Sequence, residues 1–447
     1  MRRILPALIA LSLAGSPLPS LAEDLLQIYD MAVVSDPSLR EAEQALFATR
    51  EVKPQARSLL LPSLSLQGDA NFYDLDSRGG SIGDRSDRYD TQQIQAVVKQ
   101  SLYNRANWMT LQQADNVIAQ AEAEYRNAQI ALMVKTTEAY FDVLRAADAV
   151  TVREALVRAD ERQLEQSKQR FEVGLVAITD VNESQAAYDK SRADLISAKN
   201  LLGNAWEALR TIVGPISVPL ARLGEKLPLS PPEPNDLQAW AGTAIRSNYG
   251  ILASIESVNA AKATIEIERS GHLPKLDLQA GYDVSRSDAQ YNGTDSETGF
   301  VGLSLNVPIF QGGAVTSKTR EAGYKYRAAQ DRLDQVRRQV DQQAKDAFRG
   351  ILSSIEDVKA RQAAIVSARS ALESTQAGLE VGTRTQVDVL NAQRNLFQAE
   401  FDYMSARYDY IINGIKLHQA TSTLSRDVLA KGNAWLNPDD TVPPPAY

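Results

Sequence analysis

Cysteine is absent from the 447-residue chain, histidine occurs twice, and proline is missing from two long stretches, 105–214 and 309–437. Without cysteine there is no disulfide, no thiolate metal site and no acylated N-terminal cysteine of the lipoprotein kind. His272 precedes an alternating run and His418 falls late in a helical stretch. Neither stands in a catalytic or ligating motif, so both read as structural residues. No glycine-rich phosphate loop is present either. An enzyme is therefore not expected, and no catalytic residue, cofactor or metal site is assigned. Basic residues are outnumbered, 48 against 56 acidic, for a formal charge of −8, a sign that argues against a nucleic-acid partner. Beyond the first two dozen residues no apolar run reaches the roughly 18 needed for a spanning helix. Any membrane role must then rest on strands.

What is present begins with a targeting pattern. Met1-Arg2-Arg3, the apolar stretch from Ile4 to Leu13, and Ser20-Leu21-Ala22 read as a signal peptide, residues 1–22, cleaved after Ala22. Losing Arg2 and Arg3 moves the formal charge two units further, to −10. The rest is an internal duplication. Leu61-Pro62 returns as Leu273-Pro274 and Asp24-Leu25 as Asp236-Leu237, a step of 212. Val173-Gly174 returns as Val381-Gly382 and Asp180-Val181 as Asp388-Val389, a step of 208. Each copy reads helix, strand pair, very long helix, tight turn, helix. The expected organisation is a first repeat over 23–214, a proline-rich extended linker over 215–235, a second repeat over 236–424, and a segment over 425–447 whose end, from Asp439, trails unstructured.

Four runs alternate with a period of two. Leu60, Leu64, Leu66, Ala70 and Phe72 oppose Ser63, Ser65, Gln67, Asp69 and Asn71, and 93–103 repeats this less cleanly. Leu276, Leu278, Ala280, Tyr282 and Val284 oppose Lys275, Asp277, Gln279 and Asp283, while Val301, Leu303, Leu305, Val307 and Ile309 oppose Gly302, Ser304 and Asn306. Each run is near the nine to eleven residues of a tilted membrane strand, although a soluble half-buried sheet gives the same alternation. Polar stretches at 74–90 and 285–297 read as exposed hairpin loops. Phe72, Tyr73, Tyr103, Trp108 and Phe310 read as interfacial aromatics at strand ends.

The proline-free stretches read as helical hairpins. Leu111, Ala114, Ile118, Ala121, Tyr125, Ala128 and Leu132, and again Ala322, Tyr326, Ala329, Leu333, Val336 and Val340, fall at steps of three and four, which makes a coiled-coil seam. A helix from Arg105 to about Glu172 runs on the order of 100 Å. Gly174 and Gly382 suit the left-handed position past a helix end. Asp180 with Glu183, and Thr385 with Asp388, supply capping boxes for the returning helices. Four strands cannot close a barrel, for which about eight is the minimum. Two chains give eight strands with a packed interior; three give twelve with room for a pore.

The duplicated strand pair and the two hairpin tips, Phe171 to Val181 and Val381 to Leu390, resemble the TolC family of outer-membrane channel-tunnels. The resemblance runs over the whole mature chain. It implies a mixed α/β membrane channel: a homotrimer whose four strands per protomer make a twelve-stranded transmembrane β-barrel continuous with a long α-helical coiled-coil periplasmic barrel. The implied location is the outer membrane, in its lipid, of a Gram-negative bacterium. The implied partners are a periplasmic membrane-fusion adaptor and an inner-membrane ABC or RND/MFS pump, and the implied function is export by type I protein secretion, multidrug efflux, or both. By the same resemblance Thr179, Asp180, Arg384 and Asp388 form the periplasmic gate and latch, and Val173, Gly174, Leu175, Val381, Gly382 and Thr383 form the adaptor-docking tips. Asn391 stands where the family has a second aspartate ring and Leu379 where it has a latch tyrosine. Read without the resemblance, Asp180 and Asp388 are helix caps, Arg384 is an exposed cation, and Leu175 and Val176 are buried in their turn. A periplasmic coiled-coil scaffold without channel activity is the alternative function; it accounts for the helices and the signal but not for the strands.

Overall fold

The computed structural model describes residues 23–79, 85–289 and 293–445. The signal peptide expected over 1–22 lies outside the described residues, as do parts of both hairpin loops. The first repeat contains α1 (Leu25–Ser35), α2 (Pro37–Arg50), α3 (Val52–Ser58), β1 (Ser63–Ser77), β2 (Arg85–Tyr103), α4 (Arg105–Glu172) and α5 (Ile178–Val213), followed by β3 (Leu220–Leu223). The second contains α6 (Leu237–Ser247), α7 (Tyr249–Arg269), β4 (Lys275–Ser287), β5 (Asp295–Asn306), α8 (Ala314–Glu380) and α9 (Gln386–Ala420), followed by α10 (Arg426–Asn433) and β6 (Leu436–Val442). The duplication is visible in the element bounds: both ends of α1 and α6 differ by 212, and the turns between the long helices differ by 208. Compactness divides the chain differently. One unit comprises 38–129 and 241–343, the other the stretch to 37 with 130–240 and the residues from 344 on, so each unit draws on both repeats.

The first unit holds the antiparallel sheet β1-β2-β4-β5. Its strands run further than the alternation indicated, because cross-strand pairs carry the ladder into the polar stretches. Tyr73 stacks on its partner Tyr89 at 5.0 Å, and Asp74 pairs with Arg88 at 3.2 Å. Arg286 likewise pairs with the opposite Asp295 at 3.2 Å. Such pairs stabilise a hairpin regardless of hydropathy. Most of the expected loop 74–90 and both ends of the expected loop 285–297 are therefore strand, and Phe72 and Tyr73 lie within β1 rather than at its end. At the other end β5 stops at Asn306, short of Phe310, since Pro308 has no N–H for the ladder. Val307, Ile309 and Phe310 follow it outside the sheet. The second unit's core gathers Tyr140, Phe141, Leu144, Trp206, Leu209, Leu25, Ile28, Leu220, Leu417 and Leu429, all fully buried. Tyr140 donates to Ala221 O at 2.7 Å, and burial pushes its phenol well above the ordinary value.

Two corrections concern the tail and the linker. The stretch from Asp439 is not trailing: β6 pairs antiparallel with β3, which itself lies inside the expected extended linker. Arg222 on β3 bonds Asp148 of α4 at 2.9 Å, and Tyr408 of α9 donates to the same carboxylate at 2.6 Å. The small sheet is thereby nailed to two long helices, which a proline count does not reveal. Among the described residues no helix is long and apolar enough to cross a membrane.

Candidate functional site

The register of the sheet sorts its side chains into two faces. Leu64 lies opposite Val98, Val98 opposite Ala280 and Ala280 opposite Val301; Leu66, Ala96, Tyr282, Leu278 and Leu303 continue the same face. Ser63, Ser65, Gln67, Gln95, Lys99, Asp277, Gln279 and Ser304 take the other, where Lys99 meets Asp277 at 3.1 Å. The apolar face is uncovered: Leu64 and Leu66 are each 75% exposed, Phe72 89% and Val301 79%. A soluble monomer does not sustain so large an uncovered apolar face. β1 and β5 are the edges of the sheet, each paired on one side only. Unpaired edge groups are untenable in hydrocarbon, so a membrane form needs further strands on both edges.

The other candidate site is the pair of hairpin tips. Both long helices end in the same cap: Gly174 and Gly382 sit at φ 78° and 75°. Leu175 N–H reaches back to Arg170 O and Thr383 N–H to Gly378 O, each at 2.8 Å. These are Schellman closures, which need a residue without Cβ strain at that position. Apolar residues beside these glycines face outward. Leu175 is 74% exposed and Val381 75%, with Val173 and Ile178 also exposed and Val176 half-buried, so Leu175 is not folded into its turn.

The returning helices start differently. At α9 the expected box forms: Asp388 N–H donates to Thr385 Oγ1 at 3.3 Å, and Asp388 Oδ2 accepts from Thr385 N–H and Oγ1–H at 2.9 Å each. These bonds to Thr385, with the Arg384 charge as a smaller contribution, hold the Asp388 carboxyl below its usual value. At α5 the expected Asp180–Glu183 box does not form. The cap position is Ala177, whose methyl accepts no hydrogen bond, and Asp180 stands three residues inside it. Among the described residues the side chains of Arg384, Asp180 and Thr179 make no hydrogen bond or ion pair within the chain, and Arg384 has no contact that ties it to either of the other two. The two helix starts thus leave one carboxylate engaged and its duplicate free.

Sequence reading passed over a set of polar residues that the second unit buries. Ser167 on α4, Ser184 on α5 and Gln386 on α9 form one layer, with Ser167 Oγ and Ser184 Oγ 3.0 Å apart and Gln386 Nε2 donating to Ser184 Oγ at 3.1 Å. Asp160, Ser191 and Gln393 form another, where Gln393 Nε2 donates to Asp160 Oδ1 at 2.8 Å. All six are less than a tenth exposed. On each helix the two members are seven residues apart, and that heptad spacing of polar residues within an apolar seam was the available signal.

The outer membrane efflux protein family model matches residues 28–215 and 240–423. Outer membrane protein TolC of Escherichia coli K12 is 37% identical over 458 residues, spanning 99% of this chain and 91% of that protein. Proteases secretion protein PrtF of Dickeya chrysanthemi is 28% identical, over 96% of this chain and 94% of its own. In fold, the CmeC outer membrane channel of Campylobacter jejuni superposes with a TM-score of 0.75 at 15% identity, covering 97% of both chains. With both repeats matched and nearly the full length aligned, the chain belongs to the outer membrane efflux protein family.

Proposed function

We propose that three copies of this chain close a twelve-stranded barrel in the outer membrane and form an export channel whose hairpin tips, in the periplasm, both gate the passage and meet the partner that delivers cargo. The observation that carries this reading is the sheet: one face apolar and uncovered, the other polar, with two unsatisfied edges. Three four-stranded sheets joined edge to edge satisfy every strand and enclose the polar face. The exposed Val173, Leu175 and Val381 supply an apolar docking surface for a membrane-fusion adaptor linked to an inner-membrane pump. Arg384, Asp180 and Thr179, whose side chains make no hydrogen bond or ion pair among the described residues of their own chain, would pair between neighbouring protomers as the closed-state latch. Asp388 retains one carboxylate oxygen outside its capping bonds, so three copies around an axis make a single cation-binding ring. Relatives named for protease secretion and for TolC support export as the activity. The signal peptide is removed after Ala22, and Glu23 then begins the mature chain.

Mass measurement of the detergent-extracted protein tests the assembly: a species of three chains is expected, and a stable, fully folded monomer overturns the channel. Planar-bilayer conductance tests the passage. N-terminal sequencing of the membrane form tests the cleavage. Deleting the gene and scoring dye and bile-salt sensitivity beside secretion of exoproteins assigns the cargo.

A further inference from the structure

The register of the sheet and the duplication together fix how far the ladder climbs from one repeat to the next. Ser63 on β1 is level with Lys99, Gln279 and Gly302 across β2, β4 and β5. Under the 212-residue step of the duplication, however, the copy of Ser63 is Lys275, and Gln279 is the copy of Gln67. Crossing from one repeat to the next thus advances the ladder by four residues. A junction between protomers that copies the junction between repeats sets Asn306, the partner of Lys275, opposite Gln67 of the next protomer. The outward face arrives at the same pairing by another route. Its last non-polar residues are Phe72 on β1, Ile94 on β2, Val284 on β4 and Gly299 on β5, and two residues further out stand Asp74, Gln92, Arg286 and Glu297. Such a boundary marks the edge of the hydrocarbon, which runs unbroken around a barrel. Ile94 and Val284 are level with Gly68, four residues short of Phe72, and Gly299 is level with Leu66, six short. The boundary falls about two residues per strand. One strand further on, Phe72 of the next protomer is eight short, level with Leu64 and so beside Val301, as the duplication also requires.

We propose that β5 of one protomer pairs antiparallel with β1 of the next in this register, with Val301 opposite Phe72, Leu303 opposite Ala70 and Leu305 opposite Gly68 on the lipid side. This rests on the reading of the chain as a trimeric barrel. On the inner side Phe300 lies across Gly281, where a Cβ would meet its ring at 2.7 Å, and the register brings it beside the neighbour's Tyr73, itself stacked on Tyr89. An aromatic pair thereby closes each seam. The advance of eight residues per protomer also sets the slope of the strands: a climb of about 26 Å over four spacings of about 4.8 Å is a tilt of roughly 54°, steeper than the common 35 to 45°. The nearest register that keeps both faces slips β1 by two residues. It sets Val301 opposite Ala70 and Phe300 opposite Asn71, and it breaks the aromatic pair.

The absence of native cysteine makes the register readable by cross-linking. Residues directly opposite have Cα atoms about 4.5 to 5.5 Å apart, within the reach of a disulfide, whereas a diagonal pair stands about 7 to 8 Å apart, beyond it. In the full-length protein in its membrane, mild oxidation of Phe72→Cys with Val301→Cys, and of Asn71→Cys with Gly302→Cys, is expected to give disulfide-linked trimers. Ala70→Cys with Val301→Cys, and Asn71→Cys with Phe300→Cys, should link about tenfold more slowly. Neighbouring pairs alternate between the closer and the wider spacing, so each register is sampled with one of each kind. Phe72 and Val301 are exposed and a Cβ at Gly302 meets nothing within 4 Å, so the expected pairs are sterically tolerated. Equal or faster linking through the slipped pairs overturns the register. No linking through any pair, in a species whose mass is that of three chains, overturns the seam between β5 and β1. A folded monomer by mass rejects the trimeric reading instead.

Discussion

The two hairpins differ at the residue that caps the returning helix, Ala177 in one and Thr385 in the other, and exchanging that difference separates stability from gating. Ala177 occupies the cap of α5 with φ −79° and ψ 158°, close to the φ −97° and ψ 163° of Thr385 at the cap of α9. Ala177→Thr therefore meets a backbone already in place, at an exposed position with room for the side chain. Its hydroxyl can accept from Asp180 N–H as Thr385 does from Asp388 N–H at 3.3 Å, and the Asp180 carboxylate can close the box as Asp388 does at 2.9 Å. A cap hydroxyl contributes about 1 kcal/mol. That corresponds to roughly fivefold slower amide exchange in the first turn of α5, since about 1.4 kcal/mol is tenfold. The carboxylate so engaged is no longer free for Arg384 of a neighbouring protomer, so the closed tip should weaken as its helix strengthens. Hydrogen-exchange mass spectrometry on peptides covering 171–184 reads the first effect, and planar-bilayer conductance the second. Unchanged exchange refutes the capping argument. Slower exchange with unchanged conductance refutes the role given to Asp180.

Arg384→Ser removes the latch cation; because an exposed ion pair contributes only about 0 to 1 kcal/mol, a partial rise in conductance is expected, and no rise in a well-folded trimer means Arg384 is only a surface residue. Asp388→Asn keeps an acceptor for the Thr385 box but removes the ring charge, so block by trivalent cations from the periplasmic side should vanish with little loss of thermal stability; persistent block rejects the ring. Gly382→Ala places Cβ in open space but forces a left-handed residue, costing about 1 to 2 kcal/mol locally, which proteolysis at the tip should detect as faster cleavage than in Gly382→Asn. Burial, with a smaller push from Lys431, lowers the proton affinity of His418, whose ring packs edge-on to Trp240 and bonds Thr423 at 2.9 Å. With its folded value depressed below the unfolded 6.5, the unfolded state binds the proton first, so stability is lost as pH falls through that value. Thermal unfolding from pH 7.5 to 5 should show a shallower fall in His418→Gln than in the parent; parallel curves rule the residue out.

The long helices were legible because proline exclusion and the three–four spacing are properties of one segment at a time. Strand faces were legible for the same reason: Leu64 and Ser65 point apart whatever the partner. Strand length was not, since it depends on what stands across the ladder; Arg88 reads as loop until Asp74 is seen opposite it. The Asp180 box failed on a neighbour rather than on itself, because a carboxylate at the third position needs a hydroxyl at the cap and Ala177 has none. Gln386 and Gln393 drew no reading from the sequence, and only three helices together reveal that they are enclosed. Arg384 was legible as an exposed cation, but an arginine beside a turn carries no mark of whether a partner waits on another chain.

The pairing of β6 with β3 imposes an order on biogenesis. β3 is synthesised more than 200 residues before β6, its strand partner, and Leu220 must wait as long for Val442 opposite it. The amino-terminal half therefore has an open strand and an unfinished core until the second repeat is complete, a window in which it depends on chaperones or finds the wrong partner. A chain cut after Gly432 keeps every transmembrane strand and both hairpins, yet should never leave that window. Pulse proteolysis is expected to find its α4 cleavable near Tyr140 while the full-length chain is protected there.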